Sequence, residues 1–182
     1  MARVSSGPVQ VGTSFNPAHA TYLGLDWKES YKRLEALHFR VIRLSAYWSQ
    51  VDAEGYGQLD WLLRESKASG QPLVLSVGMK GIGWPEFYLP TGYGATVPDG
   101  GDISQDPDVR AGVMDFVAAT VSRYRDNPML VAWKVETEPL NPDGPHSRYI
   151  GEQRVEPAVV AIRALDDRPG HVRAVGHVDM LF

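Results

Sequence analysis

Met129-Leu130-Val131-Ala132-Trp133-Lys134-Val135-Glu136-Thr137-Glu138-Pro139 carries an apolar run straight into two carboxylates and a proline. Residues 129–135 read as a strand, the fourth along the chain. A carboxylate placed where a buried parallel strand ends is held on a rigid element and shielded on several sides. Both conditions favour a raised pKa and general-acid work. Read from these residues alone, Glu138 before Pro139 could equally be a plain loop carboxylate. Strict alternation along the strand sets Lys134, Glu136 and Glu138 on one face and Val131, Trp133 and Val135 on the other. Buried charges must be paired, so Lys134, Glu136 and Arg43 form an interior ion network in the structural reading, which is preferred for Glu136.

The rest of the chain repeats the order strand then helix, the pattern of a βαβα chain wound into a parallel sheet. Residues 9–15 form the first apolar run. Asp26 then caps a helix with Glu29 at the capping-box position, and Trp27, Tyr31, Leu34 and Leu37 recur on one face. Residues 41–44 are a short apolar run broken by Arg43, as in a strand buried on both sides. Leu59, Leu62, Leu63 and Ser66 mark a second helix, stopped by Gly70 and Pro72. Residues 73–77 give the third strand. Asp106 and Pro107 are a cap and a first-turn proline, opening a helix whose stripe is Val109, Val113, Phe116, Val117, Thr120, Val121 and Tyr124. A fourth helix spans about 147–165, with Pro157 kinking it or marking its true start. Residues 172–175 would be a weak fifth strand.

This count describes an α/β fold of the (β/α)8-barrel type: about four βα units plus a fifth strand, a partial barrel in a single domain over 1–182. Closing all eight units takes about 250 residues, and in such barrels the long loops after the strands build the site. The composition agrees with one globular domain: 182 residues, 43% hydrophobic, without an apolar run long enough to span a bilayer. The absence of cysteine removes disulfides, thiolate nucleophiles and cysteine-type zinc sites. A net charge of -4 without basic runs argues against a nucleic-acid partner. The five histidines show no metal spacing, no glycine cluster matches a nucleotide-binding fingerprint, and no cofactor or metal is expected. The start Met1-Ala-Arg-Val-Ser-Ser lacks the layout of a secretory signal, which leaves a cytoplasmic or a trimmed secreted protein.

At Trp133-Lys134-Val135-Glu136-Thr137-Glu138-Pro139 the chain resembles the retaining glycoside hydrolases of clan A, barrel enzymes that include β-galactosidases, β-mannanases and cellulases. Their fourth strand ends in a Trp-x-Val-x-Asn-Glu-Pro type motif whose Glu is the acid/base. Val41-Ile42-Arg43-Leu44 is similar to their second strand with its active-site arginine, and Ser45-Ala46-Tyr47-Trp48-Ser49 to the segment after it. Asp106-Pro107-Asp108-Val109, with Arg123-Tyr124-Arg125-Asp126-Asn127-Pro128, is similar to the helix and turn before the motif. The resemblance implies hydrolysis of O-glycosidic bonds in an oligo- or polysaccharide, with Glu138 as acid/base and Arg43 orienting a catalytic carboxylate. Thr137 stands where the family has the asparagine that hydrogen-bonds the sugar 2-hydroxyl, a departure because a hydroxyl reaches less far than an amide.

The 81–105 segment exceeds the ~12 to 15 residues at which structureless loops become uncommon and holds Trp84, Phe87, Tyr88 and Tyr93. Trp84 is the expected sugar platform, while Phe87 and Tyr88 pack the loop onto the barrel. Trp48 divides between pocket wall and core, and is kept as a candidate for substrate binding. His19, just after the first strand, could line the mouth or be a loop residue.

Retaining hydrolysis needs two carboxyl groups about 5 to 5.5 Å apart. The resembling enzymes take their nucleophile from strand seven, so the chain reads as an N-terminal half expected to be inactive alone. Three readings follow. The first is a glycosidase half that needs a C-terminal half-barrel; the second is a non-catalytic half-barrel that binds carbohydrate or associates with itself through its open edge. The third, an aldolase-like α/β barrel, would require a reactive Lys134.

Overall fold

The computed structural model describes residues 11–142 and 144–166, so the fifth strand expected at 172–175 lies outside the described residues. Four strands, β1 (Gly12–Ser14), β2 (Val41–Ser45), β3 (Leu73–Val77) and β4 (Leu130–Val135), form one parallel sheet in sequential order. Six α-helices accompany them among the described residues: α1 (Pro17–Tyr22), α2 (Trp27–Glu35), α3 (Trp48–Glu54), α4 (Gly57–Ser69), α5 (Pro107–Tyr124) and α6 (Val155–Leu165).

Capping signals read from the sequence open α2 and α5 and close α4. Asp26 accepts the Glu29 N–H at the head of α2, and Asp106 accepts the N–H groups of Asp108 and Val109 ahead of Pro107. A side-chain cap of this kind contributes about 1 kcal/mol. Gly70 ends α4 in the left-handed conformation, with φ 75°. The buried face of α5 comprises Val109, Val113, Phe116, Val117, Thr120, Val121 and Tyr124, the stripe read from its period. Pro157 lies in the first turn of α6 and so marks the start of the helix, where its missing N–H costs nothing.

Ile42, Leu44, Leu73, Leu75, Val77, Leu130, Trp133 and Val135 point to the helices and bury against Tyr31, Leu62, Leu63, Val117, Val121 and Ile162. Trp133 is fixed further by its indole N–H, which donates to the Asp166 carboxylate at 2.8 Å. Alternation turns Ser14, Arg43, Ser45, Val74, Ser76, Ala132 and Lys134 to the opposite, barrel-interior face.

Three expectations are corrected. Leu37 is 66% exposed, because α2 ends at Glu35 and His38 turns the chain at φ 55° before the periodic face reaches Leu37. Val131 is exposed rather than grouped with Trp133, because the β3–β4 register shifts between Leu73 and Val74, pairing Leu73 with Leu130 and Val74 with Ala132. The first run holds a strand only over Gly12–Ser14 within its described part. The short helices α1 and α3 follow β1 and β2 at the sheet's carboxyl end, the first capped by Asn16, whose side chain accepts from Ala18 and His19 N–H.

Candidate active site

All four strands end on the same side, and the chain there runs through two long connections, 78–106 after β3 and 136–154 after β4. They are tied together. Asp102 accepts the N–H groups of Ser104 and Gly151, so one carboxylate joins the β3 loop to the β4 loop.

Regular β4 pairing closes with the Glu136 N–H donating to the Val77 carbonyl at 2.9 Å. Beyond it Glu136 (φ 57°) and Glu138 (φ 48°) both take the left-handed conformation, so alternation does not continue and the two side chains do not share the Lys134 face as expected. Left-handed non-glycine residues cost about 1–3 kcal/mol each and persist only where their surroundings hold them. Here those surroundings are visible. The Glu136 carboxylate swings across to the end of β3, where it accepts the backbone N–H of Met79 at 3.1 Å and of Lys80 at 2.7 Å. It lies directly over Gly78, at φ 132°, where a Cβ would come within 2.3 Å of the carboxylate. Its hold is thus backbone N–H donors at the β3 end, a feature the charge pattern did not show.

Burial pushes the Glu136 carboxyl from its ordinary 4.5 up to about 7, against the pull of the Lys80 and Met79 N–H bonds and the Lys80 charge. The native chain therefore binds this proton more tightly than the unfolded chain. The associated stability is fully present below pH 4.5 and is lost as pH rises to about 7. At roughly 1.4 kcal/mol per pKa unit, the loss is on the order of 3 kcal/mol. Urea unfolding of the wild type and of Glu136→Gln from pH 4.5 to 8 should show the wild type losing this amount relative to the variant. Parallel stability curves would remove the shift.

Glu138 is half-buried at the mouth, with Asn141 Nδ2 donating to its Oε2 at 3.4 Å. Its backbone carbonyl accepts the Asn141 N–H, closing a tight turn around the buried Pro139. Thr137 is 9% exposed, and its hydroxyl is buried without a hydrogen-bond partner among the described residues. Arg43 projects from β2 with Nε donating to Ser14 Oγ at 3.0 Å. Lys134 is buried.

Trp84 is 72% exposed on a loop held from below. The carbonyl of Ile82 accepts from Asn16 Nδ2, Tyr47 Oη and Tyr88 Oη, which joins the segments after β1, β2 and β3. Burial raises both phenols, Tyr88 to about 12, and keeps them as donors. Phe87 and Tyr88 pack the loop as expected, Tyr88 against Tyr47 with ring centres 4.2 Å apart. Of the two places open to Trp48 the structure gives the core: it is buried, with its ring against Tyr93 and Phe116. His19 is exposed on α1, its ring centre 6.4 Å from that of Tyr22. Sequence reading also passed over Asn16, Tyr47, Lys80 and Asn141, whose roles depend on partners distant in the chain.

Among the described residues no group of three or more His, Asp or Glu could hold a metal ion, and no helix is long and apolar enough to cross a membrane.

No family model matches the chain. Mannan endo-1,4-beta-mannosidase 8 of Oryza sativa subsp. japonica is 25% identical over 137 residues, 69% of this chain and 36% of the relative. Among solved structures, a GH5_18 protein from Streptomyces cattleya in complex with GlcNAc superposes with a TM-score of 0.63 at 16% identity, covering 88% of this chain and 42% of that one. A GH5_18 variant from Bifidobacterium longum subsp. longum in complex with Manβ1-4GlcNAc gives 0.62 at 16%, covering 90% and 42%. The exo-beta-1,4-mannosidase of Opitutaceae bacterium strain TAV5 gives 0.63 at 16%, covering 86% and 30%. The chain spans less than half the length of each of these relatives. The described residues hold four strand–helix units arranged as in part of the (β/α)8 barrel of the clan A glycoside hydrolases.

Proposed function

We propose that this chain carries the acid/base part of a retaining glycoside hydrolase acting on β-linked, mannose-containing glycans, with Glu138 as the acid/base. The observation that carries this reading is the place of Glu138: half-buried, on a braced left-handed turn at the carboxyl end of the fourth parallel strand. A carboxyl there can protonate a departing glycosidic oxygen and then deprotonate the water that follows. The mannosidases and the Manβ1-4GlcNAc complex among the relatives suggest the sugar.

Arg43 orients the reacting carboxylates or sugar from β2. Thr137 stands where the family has asparagine, and its hydroxyl is buried rather than presented at the mouth. Glu136 cannot serve as nucleophile, because both its oxygens are buried against backbone N–H groups. The nucleophile is assigned to strand seven of a complete barrel.

Trp84 is the sugar platform of this reading. Calorimetric titration with a β-1,4-linked manno-oligosaccharide should show Trp84→Ala weakening binding by about tenfold with an unchanged melting temperature. A large fall in melting temperature with unaltered affinity would place Trp84 in the packing instead.

The second reading, a half-barrel that associates with itself, is favoured by the sheet: β1 and β4 are its outer strands, each paired on one side among the described residues. Sedimentation equilibrium at micromolar concentration should give a dimer or larger species. A stable, cooperatively folding monomer excludes this reading and leaves the first intact.

A further inference from the structure

Lys80 is 1% exposed and lies just beyond β3, and each of its polar groups meets the segment after β4. Its backbone N–H donates to the Glu136 carboxylate at 2.7 Å. Its carbonyl accepts the Thr137 N–H at 3.1 Å. Its ammonium donates to the carbonyl of Glu138 at 2.8 Å and of Asn141 at 2.7 Å, the two ends of the turn that carries Glu138. Phe87 covers the ammonium, with its ring centre 5.4 Å from Nζ. The bracing runs both ways: a carboxylate from the β4 end grips backbone at the β3 end, and an ammonium from the β3 end grips backbone beyond β4.

We propose that Lys80 and Glu136 are positioning residues, a reciprocal brace that sets the height and orientation of the Glu138 turn. This deepens the acid/base reading of Glu138 and rests on it for its catalytic meaning. Its physical basis is the cost of leaving a buried ammonium or carboxylate without partners, which locks each group to the one segment that can satisfy it. Two carbonyls drawn onto one cation fix both ends of the turn, and the carboxylate fixes its start. The carboxyl of Glu138, which accepts from Asn141 Nδ2, takes no part in the brace that immobilises its backbone. Preorganisation of this kind is what an acid/base needs, because a small misplacement of the donor costs a large factor in rate.

The test uses the 182-residue chain and nuclear magnetic resonance. In the wild type, scalar coupling should be observed across the hydrogen bonds from Lys80 Nζ to the carbonyl carbons of Glu138 and Asn141; a hydrogen-bonded ammonium coupled to neither overturns the brace without any variant. In Lys80→Met, amide exchange at Thr137 and Asn141 should accelerate by roughly tenfold or more, while Val117 and Val121 in α5 are unchanged. The chain has no cysteine, so Lys80→Cys can be alkylated at a single site with bromoethylamine while unfolded, then refolded. The resulting ammonium should restore slow exchange at both amides. Equal acceleration throughout the fold, unchanged exchange at the turn, or a refolded alkylated protein without recovery would each overturn the proposal. Glu138→Gln should leave these amides protected, so failure of the catalytic reading and failure of the brace give different results.

Discussion

Replacing Gly78 by alanine is expected to destabilise the chain by about 3 kcal/mol or more, among the larger effects a single methyl group can have. The added Cβ would sit 2.3 Å from the Glu136 Cδ and Oε1 and 2.5 Å from Oε2. A flexible side chain could retreat, but this one is buried and fixed by the Met79 and Lys80 N–H groups. Displacing it leaves those donors unsatisfied, at about 1–3 kcal/mol for each buried group. The backbone adds a second cost, because φ 132° is a conformation that alanine rarely adopts. Urea unfolding of Gly78→Ala, Glu136→Ala and the double variant separates the two. The double variant should be destabilised by less than the sum of the single changes, by at least about 1 kcal/mol, since the clash exists only while the carboxylate is present. A Gly78→Ala protein within about 0.5 kcal/mol of wild type would contradict the packing described over Gly78.

The elements that sequence reading captured are those specified locally. β3 covers Leu73–Val77 as read, since an apolar run broken only by Ser76 and bounded by Pro72 and Gly78 leaves little choice. The stripe of α5 is recovered residue for residue because eighteen residues give the helical period five turns to declare itself. The short helices α1 and α3 lack that length, and their turns are held by the loops they enter rather than by periodicity. Val131 was misplaced because a register shift between neighbouring strands belongs to the pair and has no signature in either sequence.

The site divides along the same line. Glu138 could be nominated from sequence because its signal is local: a strand, its end and a following proline. Trp84 stood out for its place in a long aromatic loop, and the structure leaves it exposed there. Trp48 carried the same kind of signal, yet Tyr93 and Phe116 enclose it from elements far along the chain. Lys80 gave no signal at all. A lysine between a methionine and a glycine reads as solvated, and its burial becomes evident only when the carbonyls of Glu138 and Asn141, some sixty positions later, are seen around it.

The central claim, that Glu138 is the acid/base of a retaining glycosidase, is tested most directly by hydrolysis of a Manβ1-4-linked disaccharide. The chain is assayed alone and after fusion to the remaining strand–helix units of a clan A barrel. Such a substrate has a poor leaving group and needs acid assistance, whereas an activated aryl glycoside would hide the loss. The expected result is background activity for the chain alone, hydrolysis with retained configuration for the active fusion, and a fall in rate of about 10²–10⁴-fold on Glu138→Gln. An active fusion in which Glu138→Gln keeps its full rate would contradict the account, as would retaining hydrolysis by the 182-residue chain alone.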